Sequence, residues 1–465
     1  MTMYSFEIPT TATISFSEFC HDQSDRQDYV SRLPEVTQAR ANIRATLKEM
    51  KATENGGKDY LTLVKLLEEY LPQIQGVMDC VTHDKIGFKS EPIFSWKSTL
   101  SSNILKSSRI SLPGLHADYA FTLLIYGYAL SNLAWSMVEG LGAYEQDRAI
   151  SDELRKHKDK ELNVAVDHLC KASGIFAYIA DTVLPAWDVN RTDGPPGFNR
   201  PPELIREVNT ALSKMVLADA QTLAIRRLQS KSAYESNIAP GPPLPLSHPS
   251  PSLLAKLHLE CASLYASSRS LIKSVGASKS GDNTAIVSDL RKHLADETAL
   301  HNALAHKWLG VFAGEKGGSE KGGEAVAFLI WAKKELEELK DSGKIALGKG
   351  EKEKHDRRKA KLSDEITSTS LFLKQYKQMN DSVHFQPVPP QSELQRVIPA
   401  GTLARKTTPY TPPQPCFGPN SIEYLRRKTE ELKAKDDTKD GAGPQGPPPK
   451  ESPHVGKYSG AGAYF

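Results

Sequence analysis

Tyr119 to Val138 reads YAFTLLIYGYALSNLAWSMV, twenty residues without a charge between Asp118 and Glu139. That is about the length a helix needs to cross a bilayer, so its reading decides the class of protein. The composition argues for a different placement. Thr122, Ser131, Asn132 and Ser136 are polar, three tyrosines interrupt the run, and Ala120, Gly127, Ala129 and Ala134 spread small side chains along it. Small residues let neighbouring backbones approach closely. A helix that is apolar on every side and dotted with them suits the interior of a helical protein. We therefore read a buried core helix, with a membrane span as the rejected alternative.

Outward from this stretch the pattern stays helical. Leu61, Val64, Leu67 and Leu71 mark one face of a helix that Pro72 is expected to stop. Glu161 to Leu184 forms another, with Val166, Leu169, Ile175 and Ile179 on its apolar side and Pro185 at its end. After a loop at Asp193 to Pro202, a helix runs to about Ser236 with Leu204, Val208, Leu212, Val216 and Leu223 as its buried stripe. The Pro-rich segment Pro240 to Pro251 breaks the pattern. Helices follow at Leu253 to Val275, at Ala285 to Phe312, from about Glu324, and at Leu362 to Met379. Only Tyr4 to Phe19 has strand character, enough for one or two short strands. Beyond Gly401 the chain turns Pro-, Gly- and Ser-rich, with a short charged helix at Glu423 to Lys435. We expect one helical domain over residues 1–400 and a disordered tail over 401–465.

Composition removes several function classes. The 465 residues carry a formal charge of +3 with signs well mixed, and no basic aromatic-rich stripe for nucleic acid is present. Five cysteines (Cys20, Cys80, Cys170, Cys261 and Cys416) form no CxxC pair, as expected of reduced thiols in a cytoplasmic protein. No signal-peptide pattern opens the chain and no prenylation cysteine closes it.

Chemistry is hard to find. His293, Glu297 and His301 recur every four residues and so share a helix face, yet the HExxH order is missing and they read as a solvent-facing stripe. His306 beside Trp308 reads as packing. Gly314 to Gly323 lacks the Gly-Lys-Ser/Thr ending of a phosphate-binding loop. No nucleophile motif occurs. We expect no catalysis, no cofactor and no bound metal.

Four segments, in order, resemble the BRO domain, the helical module of ESCRT-associated adaptors such as Alix. TLLIYGYALSNLA, within the opening stretch, is similar to that family's long inner helix. Ala172 to Ile179 (ASGIFAYI) is similar to its AAGxFxYL, and Val216 to Thr222 (VLADAQT) to its MLAQAQE. Asn380 to Pro389 (NDSVHFQPVP) is similar to the closing NDxIYxxxVP. The resemblance covers about residues 1 to 400. It implies an all-α, boomerang-shaped domain with a tetratricopeptide-like core and a short N-terminal β element.

It also implies an activity: holding the C-terminal amphipathic helix of a Snf-type ESCRT-III subunit in an apolar groove. By position in the family's motifs, Leu253 and Leu257 match two groove aliphatics and Lys256 a family lysine. A groove aromatic falls here on Ala224, which leaves Ile225 or Leu228 to take its place. The Pro-rich insertion at Pro240 to Pro251 lies just before this site.

A BRO domain with only a short tail is similar to the family's fungal regulators of alkaline-pH signalling. The resemblance thus implies an adaptor linking pH-signalling proteins to ESCRT-III, upstream of proteolytic activation of a transcription factor. Endosomal or plasma-membrane-associated recruitment would come through partners. The alternatives are a general endosomal-sorting adaptor and a membrane-surface scaffold using the basic run Lys352 to Lys361.

Overall fold

The computed structural model describes residues 3–53, 57–102, 109–147, 149–190, 200–238, 240–277, 286–342 and 349–439. The chain enters extended, forms the single-turn α1 (Phe16–Phe19) and strand β1 (Cys20–Asp22), then α2 (Arg32–Ala52) and α3 (Tyr60–Thr82). β2 (Ile86–Phe88) pairs antiparallel with β1, and β3 (Ile93–Trp96) with β4 (Ile110–Pro113). There follow α4 (Leu115–Leu141), α5 (Asp152–Tyr178), α6 (Leu184–Asn190), α7 (Arg206–Ile238), α8 (Pro251–Ala277), α9 (Ser288–Lys316), α10 (Gly322–Asp341) and α11 (Lys349–Met379). The short α12 (Gln391–Val397) and α13 (Ile422–Lys439) close the described chain. Each long helix from α4 onward packs mainly on its neighbours in the chain: α4 on α5, α5 on α7, α7 on α8, and so on to α11. The result is an all-α array with small β elements near its N-terminal end.

The uncharged stretch is the spine of this array. α4 is long and apolar enough to span a membrane, and 72% of its most apolar window is buried within the protein. Its polar residues have inside work. Asn132 accepts from the Phe6 N–H at 2.9 Å and donates to the Phe6 carbonyl at 2.8 Å, pinning the N-terminal segment to the helix. At the other end, buried Asp118 accepts from both Arg40 Nε and Nη2 (3.2 and 2.8 Å) and from the Trp96 indole (2.7 Å). One ion pair with its hydrogen bonds satisfied thus joins α2, β3 and α4.

Several sequence expectations are corrected. Tyr4 to Phe19 is extended but contributes only an isolated bridge, Thr11 with Trp96, and its last residues form α1. The named strands lie further on. Pro72 does not stop α3, which continues for ten residues beyond it. Leu67, Tyr70, Leu71, Ile74 and Val77 are buried on both sides of the proline, and that apolar face outweighs the roughly 3 kcal/mol cost of an interior proline. Leu61 is exposed, so the buried face runs through Leu63 and Val64 instead. Pro185 does not end its helix either: the chain runs from α5 through a π-helical turn (Ile179–Val183) directly into α6, and that widened turn precedes the proline.

The largest correction concerns the tail. Residues 398–421 are not loose: they run as an extended strap across the helices. Thr402 N–H donates to the Lys256 carbonyl on α8 (3.1 Å), Thr408 N–H to the Cys170 carbonyl on α5 (3.1 Å) and Cys416 N–H to the Pro72 carbonyl on α3 (3.1 Å). Phe417 is buried beside Tyr29. Pro409, Pro412, Pro413 and Pro415 preset an extended φ between these fastenings, while Thr402, Thr408 and Cys416 keep the N–H groups that make them. Residues 440–465, including YSGAGAYF, lie outside the described residues, as do 193–199 in the loop before α7.

Candidate functional site

α7 is the most enclosed helix around the predicted groove: every residue from Met215 to Ile225 is buried. Its antiparallel register with α8 is set by two side-chain bonds and one polar contact. Ser268 Oγ donates to the Ala211 carbonyl (2.8 Å), the Tyr265 hydroxyl to Asp219 Oδ1 (2.6 Å), and Thr222 lies 3.8 Å from the Cys261 sulfur. Continuing that register places Ala224 to Leu228 alongside Leu254 to Leu259.

The predicted residues therefore share one region but do not all face outward. Leu228 and Leu253 are 36% and 40% exposed, and Lys256 is half-buried. Ala224 is only 8% exposed, and Ile225 and Leu257 are each 2% exposed within the main core. Leu257 thus departs from its expected surface position. On α8 it lies between the half-buried ridge of Lys256 and Glu260 and the inward stripe of Leu254, Cys261 and Tyr265.

Beneath this face lies a buried polar cluster that sequence reasoning placed in solvent. His301 and Glu297, taken for a surface stripe, are buried, and His293 is largely so. His258 Nδ1 and His301 Nδ1 are 2.9 Å apart, and His301 Nε2 is 3.2 Å from Thr222 Oγ1. Thr222 donates its one hydrogen to the Ala218 carbonyl at 2.8 Å, so it accepts from His301 Nε2–H. His301 Nδ1 then accepts from His258 Nδ1–H. The chain of bonds is complete with both imidazoles neutral.

Burial favours that state, pushing His258 down to about 3 and His301 well below the usual histidine range. Burial also pushes the Asp219 carboxyl up to about 8, and its Oδ2 has no partner. That oxygen is where a proton removes the charge. Among the described residues no three His, Cys, Asp or Glu side chains group as a metal ion would need. His306 stacks on Trp331 (3.7 Å) and bonds Glu335 (2.7 Å). The only sequence signal for the inward cluster was its four-residue spacing, which is equally that of a solvated face.

What sequence reasoning missed on the surface is the strap. Gln221, fully buried, accepts from the N–H groups of Ala404 and Arg405 (2.8 and 2.9 Å) and donates to the Arg405 carbonyl (2.6 Å). Gln221, Ala224 and Leu228 fall on one side of α7. The strap therefore crosses the predicted groove at one end and leaves the Leu228 and Leu253 end open.

Comparison with known proteins follows this geometry. Residues 11–429 match the BRO1-like domain model, which takes in the strap. Over its full length the chain is 33% identical to the pH-response regulator protein palC of Cryptococcus neoformans var. neoformans serotype D (strain B-3501A), an alignment of 512 positions covering 100% of both. A 179-residue stretch is 28% identical to the pH-response regulator protein palC of Yarrowia lipolytica (strain CLIB 122 / E 150), covering 38% of this chain and 35% of that one. Among solved structures, the ALIX BRO1 domain in its complex with CHMP4C superposes with a TM-score of 0.59 at 17% identity, covering 90% of this chain and 98% of that one. At that identity the likeness is one of fold.

Proposed function

This chain belongs to the BRO1-like domain family, and from that premise we propose that it is a non-catalytic adaptor in fungal ambient-pH signalling. The full-length match to a pH-response regulator is the observation that carries this reading. The adaptor works by holding the C-terminal amphipathic helix of a Snf-type ESCRT-III subunit against the open side of α7 and α8. Leu228 and Leu253 supply apolar anchors there, and Lys256 faces the acidic side of the incoming helix. Ala224, Ile225 and Leu257 form the floor beneath them. The complex of the ALIX BRO1 domain with CHMP4C, a protein of the same fold, supports this mode. Through such a contact the chain joins pH-signalling proteins to ESCRT-III at endosomal or plasma-membrane sites, upstream of transcription-factor processing.

The test is binding of a labelled peptide spanning that C-terminal helix, followed by fluorescence polarisation. Leu253→Asp and Leu228→Asp each place a charge on the exposed face and should cost at least ~2 kcal/mol of binding, as anchor losses do. Both should stay folded, because these side chains are 36% and 40% exposed and can turn a carboxylate to water, and a thermal melt of each variant checks this. Peptide affinity that survives both substitutions in folded protein rules this face out. Leu257→Asp is unsuitable for the purpose, since a charge among core side chains would unfold the domain.

A further inference from the structure

We propose that the strap formed by Gly401 to Arg405 is a built-in competitor for the partner helix, so that full docking requires this short segment to lift. The inference rests on the docking face proposed above. Two helices build that face, and the strap is fastened to both. On α8, Thr402 N–H takes the Lys256 carbonyl (3.1 Å), and Gly401 lies so close that a Cβ there would stand 2.6 Å from Glu260 Oε2 and 2.8 Å from the Glu260 nitrogen. On α7, Gln221 holds Ala404 and Arg405 from both sides of the peptide unit. These contacts lie on the ridge of Lys256 and Glu260 and one turn from Ala224, the end of the face where side chains are least exposed. The open end offers one exposed leucine from each helix, Leu228 and Leu253. A helix occupying the whole face would meet the strap backbone.

The fastening is local and separable. Downstream, the chain is anchored independently by Thr408 on Cys170, the Ser173–Thr407 hydroxyl pair (3.0 Å), the Tyr178–Tyr410 ring contact and buried Phe417. Upstream, α12 is anchored by the buried Leu394. Residues 401–405 can therefore detach as a loop between two fixed points while the helices stay folded. A partner that binds only the lifted state gains apparent affinity in proportion to the fraction lifted.

The test uses the whole chain and the same labelled peptide. Gln221→Met keeps the side-chain volume but removes the bonds to Ala404 and Arg405. Gly401→Val drives a side chain into the Glu260 backbone. Each should tighten peptide binding about tenfold by raising the lifted fraction. In the unmodified chain, peptide binding should speed hydrogen exchange at the Thr402, Ala404 and Arg405 amides while Thr408 stays protected. Folded variants that bind the peptide no better than the unmodified chain overturn the inference and leave the docking face standing. Unchanged exchange at Thr402, Ala404 and Arg405 on binding overturns it as well, whether or not the variants fold. A peptide that binds neither the unmodified chain nor the variants brings down the docking reading itself, and this inference with it.

Discussion

Asp219 shows how much a single buried group governs here. Its carboxyl is raised to about 8, far above the ordinary value of about 3.9, so between those values the folded chain holds a proton that the unfolded chain has released. Stability on this account is full below pH ~3.9 and falls as pH rises toward 8, by up to about 1.4 kcal/mol per unit. His258 works the other way. Lowered to about 3 from about 6.5, it draws stability down as pH falls below ~6.5. The two oppose one another between about pH 4 and 6.5, where buried His301 adds to the histidine side, and above that range Asp219, the carboxyl raised to about 8, sets the direction. Urea midpoints should therefore decline from pH 6.5 to 8, and Asp219→Asn should flatten the decline. A slope that persists in that variant would mean another group titrates. The residue types of this cluster were visible in the sequence, but their burial was not, because a histidine every fourth residue fits a wet face and a dry one equally.

At the scale of elements, the apolar periodicities were legible and the punctuation was not. The inner stripes of α4, α5 and α7 fall where the sequence put them: Val166, Leu169, Ile175 and Ile179 are buried, as are Val208, Leu212, Val216 and Leu223. Pro72 misled because a local cost of about 3 kcal/mol is weighed against packing that only the folded state supplies. The closing motif has a clear local purpose. Asn380 donates to the Gln386 carbonyl (2.9 Å) and accepts from its N–H (3.2 Å), turning the chain out of α11 with Phe385 in a left-handed conformation. The strap against α5 gives an element-scale prediction. Gly174 has no room for a Cβ beneath the Thr408 carbonyl, so Gly174→Ala must push strap and helix apart. We expect a loss of about 1 to 3 kcal/mol in urea unfolding, the usual cost of overpacking. An unchanged midpoint would show that the strap yields freely at this point.

For the molecule as a whole, the boundary of the domain is the main revision. Composition placed it at residue 400, yet Tyr410 and Phe417 pack onto the helical array and Asn420 bonds Asp79 on α3 (2.8 and 2.6 Å). Removing everything after Ala400 uncovers the Phe417 site beside Tyr29 and strips Gln221 of all its strap partners. It should cost at least ~3 kcal/mol, as loss of a buried phenylalanine does, and expose apolar surface to a dye such as ANS. A truncated chain that melts like the intact one would return the strap to the status of a tail.

The sequence by itself determined the class of fold, because hydrophobic period is a local property and a charge-free helix rich in small residues has few places to go. It also carried the family, through four short motifs in the right order. Only the tertiary structure decided which of Leu253, Leu257, Ala224, Ile225 and Leu228 faces solvent, that the histidines of α9 point inward, and that Gly401 to Ser421 is a working part of the domain. Those outcomes depend on which distant segments meet. A strap held through backbone bonds and glycine clearances leaves no periodic trace in its own residues, and its meaning appears only where it crosses the helices.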